Sequence, residues 1–135
     1  MTISAYDQRL DRHFERRPKV FILQEPMKHD QATGRMVSAM NFAKASEYGD
    51  TVVCVPPGQV ALSPQPLITR LKDCLRDYRD GDYVIAVGDP TVMFVAAMVL
   101  CELNRGQCQM LKWDKITRNY IAVQINLHRK VAVVE

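Results

Sequence analysis

Three short apolar runs that alternate with helical segments most constrain what this chain can fold into. The runs lie at 19–24, 50–55 and 83–87, with sequences K-V-F-I-L-Q, D-T-V-V-C-V and Y-V-I-A-V. Nearly continuous apolar runs of this length are typical of central strands that are buried on both faces. Because helical segments follow the second and third runs, the pattern predicts an α/β fold with a mostly parallel sheet.

Two long helices are predicted, and their apolar residues are distributed differently. In 66–79 one stripe recurs at the helical period. Its members are Leu67, Ile68, Leu71, Leu75 and Tyr78. In 90–104 apolar side chains lie nearly all round, after an Asp89 suited to the N-cap and a Pro90 suited to the first helical position. Such a helix is either buried on most sides or covers its outer face in an oligomer.

The C-terminal third predicts an antiparallel hairpin with arms at 107–113 and 120–127. In the second arm, apolar residues at odd positions alternate with more polar ones at even positions, as in a strand with two unlike faces. A loop or hairpin turn at 27–34, a short edge strand at 35–40 and a short helix at 42–48 complete the order. The expected fold is therefore α/β, a compact three-layer-like sheet that is mostly parallel, with an antiparallel C-terminal hairpin and an N-terminal amphipathic helix.

The domain organisation follows from this order. Residues 19–127 are predicted to form a single α/β domain. Residues 1–18 are predicted to form an amphipathic helix or arm, since Ile3, Tyr6, Leu10 and Phe14 recur at steps of three or four. Residues 128–135 are predicted to be a tail or an added strand, in cis or on a neighbouring molecule.

Composition excludes several classes of protein. A chain of 135 residues with 47% hydrophobic residues and a net charge of +3 is too apolar to be disordered over most of its length. No run of about 18 apolar residues is present, so no membrane span is expected. The four cysteines form no C-x-x-C pair and no metal-ligand spacing, which predicts reduced thiols in the cytosol and no metal or cofactor.

A candidate ligand site lies where the strands end. In an open α/β sheet, ligands bind beyond the carboxyl ends of the strands, and a helix N-terminus there favours an anion. The residues concerned are Glu25, Gly58, Gly88, Asp89 and Thr91. A Glu and an Asp brought together would suit a cation or acid–base chemistry. The alternative is a well-formed helix cap beside solvated carboxylates, and no nucleotide-binding glycine motif is present.

A second candidate surface is basic and carries the single tryptophan. Its residues are Lys112, Trp113, Lys115, Arg118, Arg129 and Lys130. Trp113 is interpreted as a cross-strand partner of Tyr120, as an anchor at a protein interface, or as a platform for base stacking. The alternative for the charges is a solvated, basic end of the chain. The sequence pI of about 8.7 lies below the range typical of a dedicated nucleic-acid-binding domain.

Several short motifs together resemble a family of small proteins encoded by tailed bacteriophages. The motifs are V-F-I-L-Q-E-P at 20–26, E-Y-G-D at 47–50, P-P-G at 56–58, D-Y at 82–83, V-G-D-P at 87–90 and L-K-W-D at 111–114. The resemblance covers about residues 19–127. It implies a phage protein that acts in the host cytoplasm or is incorporated in a virion, and it assigns no catalytic residue.

Three functions are consistent with these patterns. The leading hypothesis is a non-enzymatic protein–protein interaction or assembly module. Its partner is expected to be a second copy of itself, another phage protein or a host protein, and it is expected to form a homo-oligomer. It rests on the apolar helix 90–104 and on the lack of a nucleophile placed beside a base, since the three histidines are far apart in sequence. The alternatives are a small nucleotide- or anion-binding enzyme or sensor, and a nucleic-acid-binding protein that uses the basic surface.

Overall fold

The main sheet has five strands, and four of them run parallel. The computed structural model describes residues 16–58 and 63–129, so the predicted N-terminal helix, apart from its last three residues, and the tail beyond Arg129 lie outside the described residues. In chain order the strands are β1 (Lys19–Gln24), β4 (Asp50–Val55), β5 (Tyr83–Ile85), β6 (Gln107–Asp114) and β7 (Asn119–Asn126). Their spatial order is β4-β1-β5-β6-β7, and only β7 runs antiparallel to its neighbour. The predicted α/β class and its C-terminal hairpin are confirmed.

The two faces of the sheet are covered differently. Helices α1 (Gln65–Leu75) and α2 (Pro90–Leu103) pack on one face, against side chains such as Phe21 and Val84. On the other face a smaller core surrounds Ile22 and Leu111. Its cover is the 3-10 turn η1 (Ala43–Glu47) with its flanking aromatic residues, so the third layer is a short turn and not a long helix. Because η1 contacts both β4 and β7, which are the two edges, the sheet curls around it.

The predicted edge strand at 35–40 does not join the main sheet. Strands β2 (Met27–His29) and β3 (Met36–Ser38) pair only with each other, in a separate two-stranded hairpin. Pro26 ends β1, since proline cannot donate to a strand ladder. The Asp30 carboxylate holds the turn, accepting hydrogen bonds from the Ala32 N–H at 3.1 Å and the Thr33 hydroxyl at 2.8 Å. The short edge strand exists, but it belongs to this hairpin.

A buried carboxylate joins the start of β1 to the start of β5. Asp82 is 1% exposed, and its two oxygens accept hydrogen bonds from Arg16 Nη2 at 2.8 Å, the Lys19 N–H at 2.9 Å and the Arg79 N–H at 3.1 Å. The sequence pattern indicated only a turn at 80–82. The structure makes Asp82 the anchor that holds the chain entering the first strand.

Tyr78 is buried beside this anchor. Its ring lies 6.0 Å from that of Phe21, and its hydroxyl donates to the Asp82 carbonyl and accepts from the Gln109 N–H. Burial raises the pKa of Tyr78 to about 12, against a smaller lowering by the Gln109 hydrogen bond. The folded state therefore holds the phenol in its neutral form at pH values where the unfolded chain ionises it.

We expect the stability of the protein to fall as the pH rises from about 10 to about 12. Below the pKa of Tyr78 in the unfolded chain, the phenol is protonated in both states, and its contribution to the free energy of unfolding is complete. That contribution is lost as the pH rises through the pKa of the folded state. Urea unfolding across this pH range measures the slope. The Tyr78→Phe variant is less stable at pH 8 but should have a shallower alkaline slope, and equal slopes in the two proteins would contradict the prediction.

No helix in the two described stretches is long and apolar enough to cross a membrane.

Candidate functional site

The loops that follow β1, β4 and β5 meet at the predicted edge of the sheet, and one buried side chain joins them. Gln24 is 3% exposed. Its Nε2 donates to the Pro56 carbonyl at 2.8 Å and the Gly58 carbonyl at 2.9 Å, and its Oε1 accepts from the Asp89 N–H at 2.7 Å. The side-chain amide thus occupies the centre of the region where a ligand was expected.

The backbone of the Gly88–Asp89 turn is shaped by the same glutamine. Gly88 has a φ of +109°, and a Cβ there would lie 2.4 Å from the Cβ of Gln24. Asp89 is the N-cap of α2 and accepts from the Thr91 N–H at 2.8 Å, with Pro90 next in the first turn, as predicted. Two backbone donors of the helix entrance are therefore bound within the protein, and the lack of a side chain at Gly88 admits Gln24.

The remaining residues of the predicted ligand site lie around this centre. Glu25 is half-buried immediately after β1, and Thr91 is exposed in the first turn of α2. Gly58 and Gly88 both lie against Gln24, as expected at the shared edge of parallel strands. Among residues 16–58 and 63–129 no group of three or more His, Cys, Asp or Glu side chains is placed to hold a metal ion. The arrangement binds the loops to one another.

The structure divides the predicted basic surface into two places. Lys112, Trp113, Lys115 and Arg118 lie at or beside the β6–β7 turn, whereas Arg129 follows the other end of β7. Lys112 and Trp113 are adjacent in a strand and so point to opposite faces of the hairpin. Lys130 lies outside the described residues.

The β6–β7 turn is held by Asp114. Its carboxylate accepts from the Thr117 hydroxyl and the N–H groups of Thr117 and Ile116. These hydrogen bonds lower the pKa of Asp114, and that of the Thr117 hydroxyl has the largest effect. The positive charge of Lys112 lowers the pKa further. The Asp114 carboxylate thus stabilises the conformation of the turn through hydrogen bonds to Ile116 and Thr117.

Trp113 and Tyr120 form the cross-strand pair that the sequence predicted. They are register partners, with ring centroids 5.0 Å apart and an interplanar angle of 72°. Both line a cavity of about 180 Å³ together with Met40 and Val87. Trp113 therefore packs on the curled face of the sheet, with about a third of its surface exposed.

The four thiols are free and lie in the helix-bearing layer. Cys54 of β4 is buried against Cys74 of α1; their hydrogen bond raises the pKa of Cys54 and lowers that of Cys74. At the other side of the layer, burial raises the pKa of Cys108 on β6, and the nearby Cys101 thiol of α2 adds to this. Helix α2 also contacts β6 directly.

The outer side of α2 is an exposed apolar stripe. Phe94 and Met98 are 71% and 64% exposed, and Ala97 and Cys101 extend the stripe at helical spacing. By contrast, the exposed positions of α1 include the charged residues Arg70, Lys72 and Asp73, and the exposed Arg76 follows as its C-cap. Soluble proteins rarely leave a contiguous apolar surface in water unless it serves an interaction.

Strand β7 presents further apolar side chains on the same face of the sheet as the helices. Ile121, Val123 and Ile125 lie opposite Lys112, Met110 and Cys108 of β6. Because Cys108 packs under the helices, this row shares the helix-bearing face. Ile121 and Ile125 are exposed, while Tyr120, on the face that the sequence pattern indicated as more polar, is buried.

We define the apolar face as the α2 stripe together with the β7 row. Its members are Phe94, Ala97, Met98, Cys101, Ile121, Val123 and Ile125. The unusual apolarity of α2 was visible in the sequence. The exposure of the β7 row was not, because it depends on which face the helices and η1 cover.

Comparison with known proteins identifies the family of the chain. The family described as Phage Pam3 gp32-like protein matches residues 18–127, which includes the whole segment predicted to form the compact domain. Comparison with curated proteins and with solved structures returns no match. Since the match covers most of its length, the chain belongs to the Phage Pam3 gp32-like protein family, and the resemblance to a bacteriophage family is confirmed.

Proposed function

We propose that this phage protein is a non-enzymatic accessory module that acts through protein–protein contacts of its apolar face, as a homo-oligomer in the host cytoplasm or within a particle. The observation that carries the proposal is the α2 stripe. No charged residue occurs between Pro90 and Cys101, although the helix lies at the surface. A water-facing helix without a polar face is typical of a subunit interface.

The loops at the carboxyl ends of the strands support this choice over ligand chemistry. The groups best placed to meet a small molecule there, the Gln24 amide and the Asp89 carboxylate, already bind the backbone of the protein. Their hydrogen bonds join the three loops to one another and cap α2, so this edge serves as a scaffold. A rigid scaffold with an apolar helix outside it suits assembly better than catalysis.

Replacing both Phe94 and Met98 by Asp tests the proposal. We expect the oligomer to dissociate to the 15.4 kDa chain, with an association about a hundredfold weaker, because two charges would have to be desolvated in the interface. Light scattering coupled to gel filtration measures the mass. Since both side chains are exposed, the circular dichroism spectrum should change little, and the melting temperature should fall only by the stabilisation that association itself supplies.

The matched control is Ile116→Asp. Ile116 is 92% exposed in the β6–β7 turn, so the same change of chemistry is made away from the apolar face. This variant should keep the parent mass. A parent protein that is monomeric at micromolar concentration, or a double variant that keeps the oligomeric mass, would overturn the proposal.

A further inference from the structure

Strand β7 forms an edge of the sheet, and half of its backbone groups point away from β6. The Leu127 N–H donates to the Gly106 carbonyl, one step beyond the β6–β7 register. In an antiparallel ladder such bonds recur at every second residue. The odd residues of β7 therefore bond to β6, and the backbone groups of Tyr120, Ala122, Gln124 and Asn126 point outward.

The two ends of this outward row are already engaged. The Tyr120 carbonyl accepts from the Tyr48 hydroxyl at 2.8 Å, and the Asn126 carbonyl accepts from the Arg129 N–H at 3.4 Å. Within the described stretches the outward N–H and carbonyl groups of Ala122 and Gln124 have no protein partner. They form a short open ladder at the centre of the edge.

This edge lacks the features that usually prevent strand pairing. Residues 119–126 contain no proline, no glycine and no charged side chain. Native edge strands commonly use such residues to block association with another edge. The chemistry of the open groups, alternating donors and acceptors at strand spacing, fits another β-strand.

The sequence of β7 makes a second copy of itself a complementary partner. An antiparallel pair related by a two-fold axis at Val123 places Ile121 opposite Ile125 of the second copy, and Val123 opposite its own equivalent. This register joins residues of the same parity, so the helices of both copies stay on one face. It also brings the open groups of Ala122 opposite those of Gln124 of the second copy. The apolar row is then buried while the open ladder is completed.

We propose that two copies of this chain pair β7 against β7 in this register and so form one continuous ten-stranded sheet. The inference rests on the proposed function in its homo-oligomeric form and adds the strand, the symmetry and the register. Helix α2, which carries the stripe, contacts β6, and β6 is the neighbour of β7 in the sheet. One apolar face then serves the whole interface.

Site-specific disulfide trapping tests the register in the full chain, with Cys101→Ser as the background. Because Cys101 belongs to the apolar face, light scattering first checks that this background has the oligomeric mass of the parent. Val123 would form a non-hydrogen-bonded pair with its equivalent, with Cα atoms about 4.5 Å apart, which suits a disulfide. Oxidised glutathione takes up two electrons and two protons as two Val123→Cys thiols join, and leaves as two glutathione thiols. We expect more than about half of the Val123→Cys chains to run as a covalent dimer on a non-reducing gel.

The neighbouring positions supply the controls. Ile121→Cys and Ile125→Cys should each give little covalent dimer alone, but an equimolar mixture of the two, exchanged before oxidation, should give the heterodimer. The Cys101→Ser background, which keeps Cys54, Cys74 and Cys108, provides the blank. Reduction should return every covalent dimer to the single chain.

The other outcomes separate this inference from the proposed function. A background protein that is oligomeric by light scattering, but whose Val123→Cys variant is not trapped, overturns the β7 pairing and leaves the apolar face as an interface. Trapping of Val123→Cys with Ile125→Cys alone would indicate a shifted register and overturn the one proposed. A parent protein that is monomeric at micromolar concentration overturns both.

Discussion

Asp82→Ala is expected to lower the free energy of unfolding by about 3–5 kcal/mol, as when one partner of a buried ion pair is removed. The carboxylate is almost wholly buried, and it satisfies a guanidinium and two backbone N–H groups that converge from separate segments. Its loss leaves Arg16, which is 18% exposed at its side chain, without its partner, and two N–H donors without acceptors. Urea unfolding followed by circular dichroism at pH 7 measures the change.

Two variants make this test specific. Asp73→Ala removes an exposed carboxylate of α1 that pairs with Arg76, the C-cap residue, and it should cost less than about 0.5 kcal/mol. Asp82→Asn keeps the shape and one acceptor but removes the charge, so its stability should lie between those of the parent and Asp82→Ala. If Asp82→Ala cost no more than Asp73→Ala, the carboxylate would not anchor the first strand.

Gly88→Ala is expected to cost about 3–4 kcal/mol. Part of this is the positive φ of +109°, which an L-residue adopts at a cost of about 1–2 kcal/mol. The rest is steric, since the new Cβ would lie 2.4 Å from the Cβ of Gln24 and 3.0 Å from its carbonyl oxygen. Relief of this overlap requires a backbone shift that weakens the hydrogen bonds joining the three loops. Equilibrium unfolding in urea gives the value.

Gly58→Ala is the matched control for this second test. Gly58 has a φ of +123°, but a Cβ there would meet nothing within 4 Å. Its variant should therefore show only the conformational part, about 1–2 kcal/mol. Equal losses at the two positions would show that Gln24 gives way without cost and that the close approach to Gly88 is unimportant for stability.

The sequence and the structure agree best where local signals are strong. The strands at 19–24 and 50–55 have the predicted bounds, and the Asp89–Pro90 entrance to α2 is as expected. The prediction for β5 was too long: Tyr83–Val87 was expected, and the strand ends at Ile85. Strand ends depend on neighbouring strands for their hydrogen bonds, and the apolar run alone carries no information about those neighbours.

Several candidate site residues lie where the sequence predicts them, but the sequence does not predict the hydrogen bonds that surround them. Glu25, Gly58 and Asp89 do gather at the carboxyl edge of the sheet, because parallel strands bring their ends together. The sequence pattern indicates Gln24, the residue that organises this edge, only as the end of an apolar run. Its three hydrogen bonds join positions 32 to 65 residues apart, and no local pattern signals such contacts.

By itself, the sequence determined the α/β class, the parallel strands with their antiparallel hairpin, the cap of α2 and the resemblance to a phage family. These properties follow from hydrophobic periodicity, capping residues and short motifs, all of which act over a few residues. Only the tertiary structure decided that Asp82 is a buried anchor, that Gln24 fills the carboxyl edge, and that Tyr120 is covered while Ile121 and Ile125 are exposed. The physical reason is that burial depends on strand order, on the curl of the sheet around η1, and on the limited width that two helices cover.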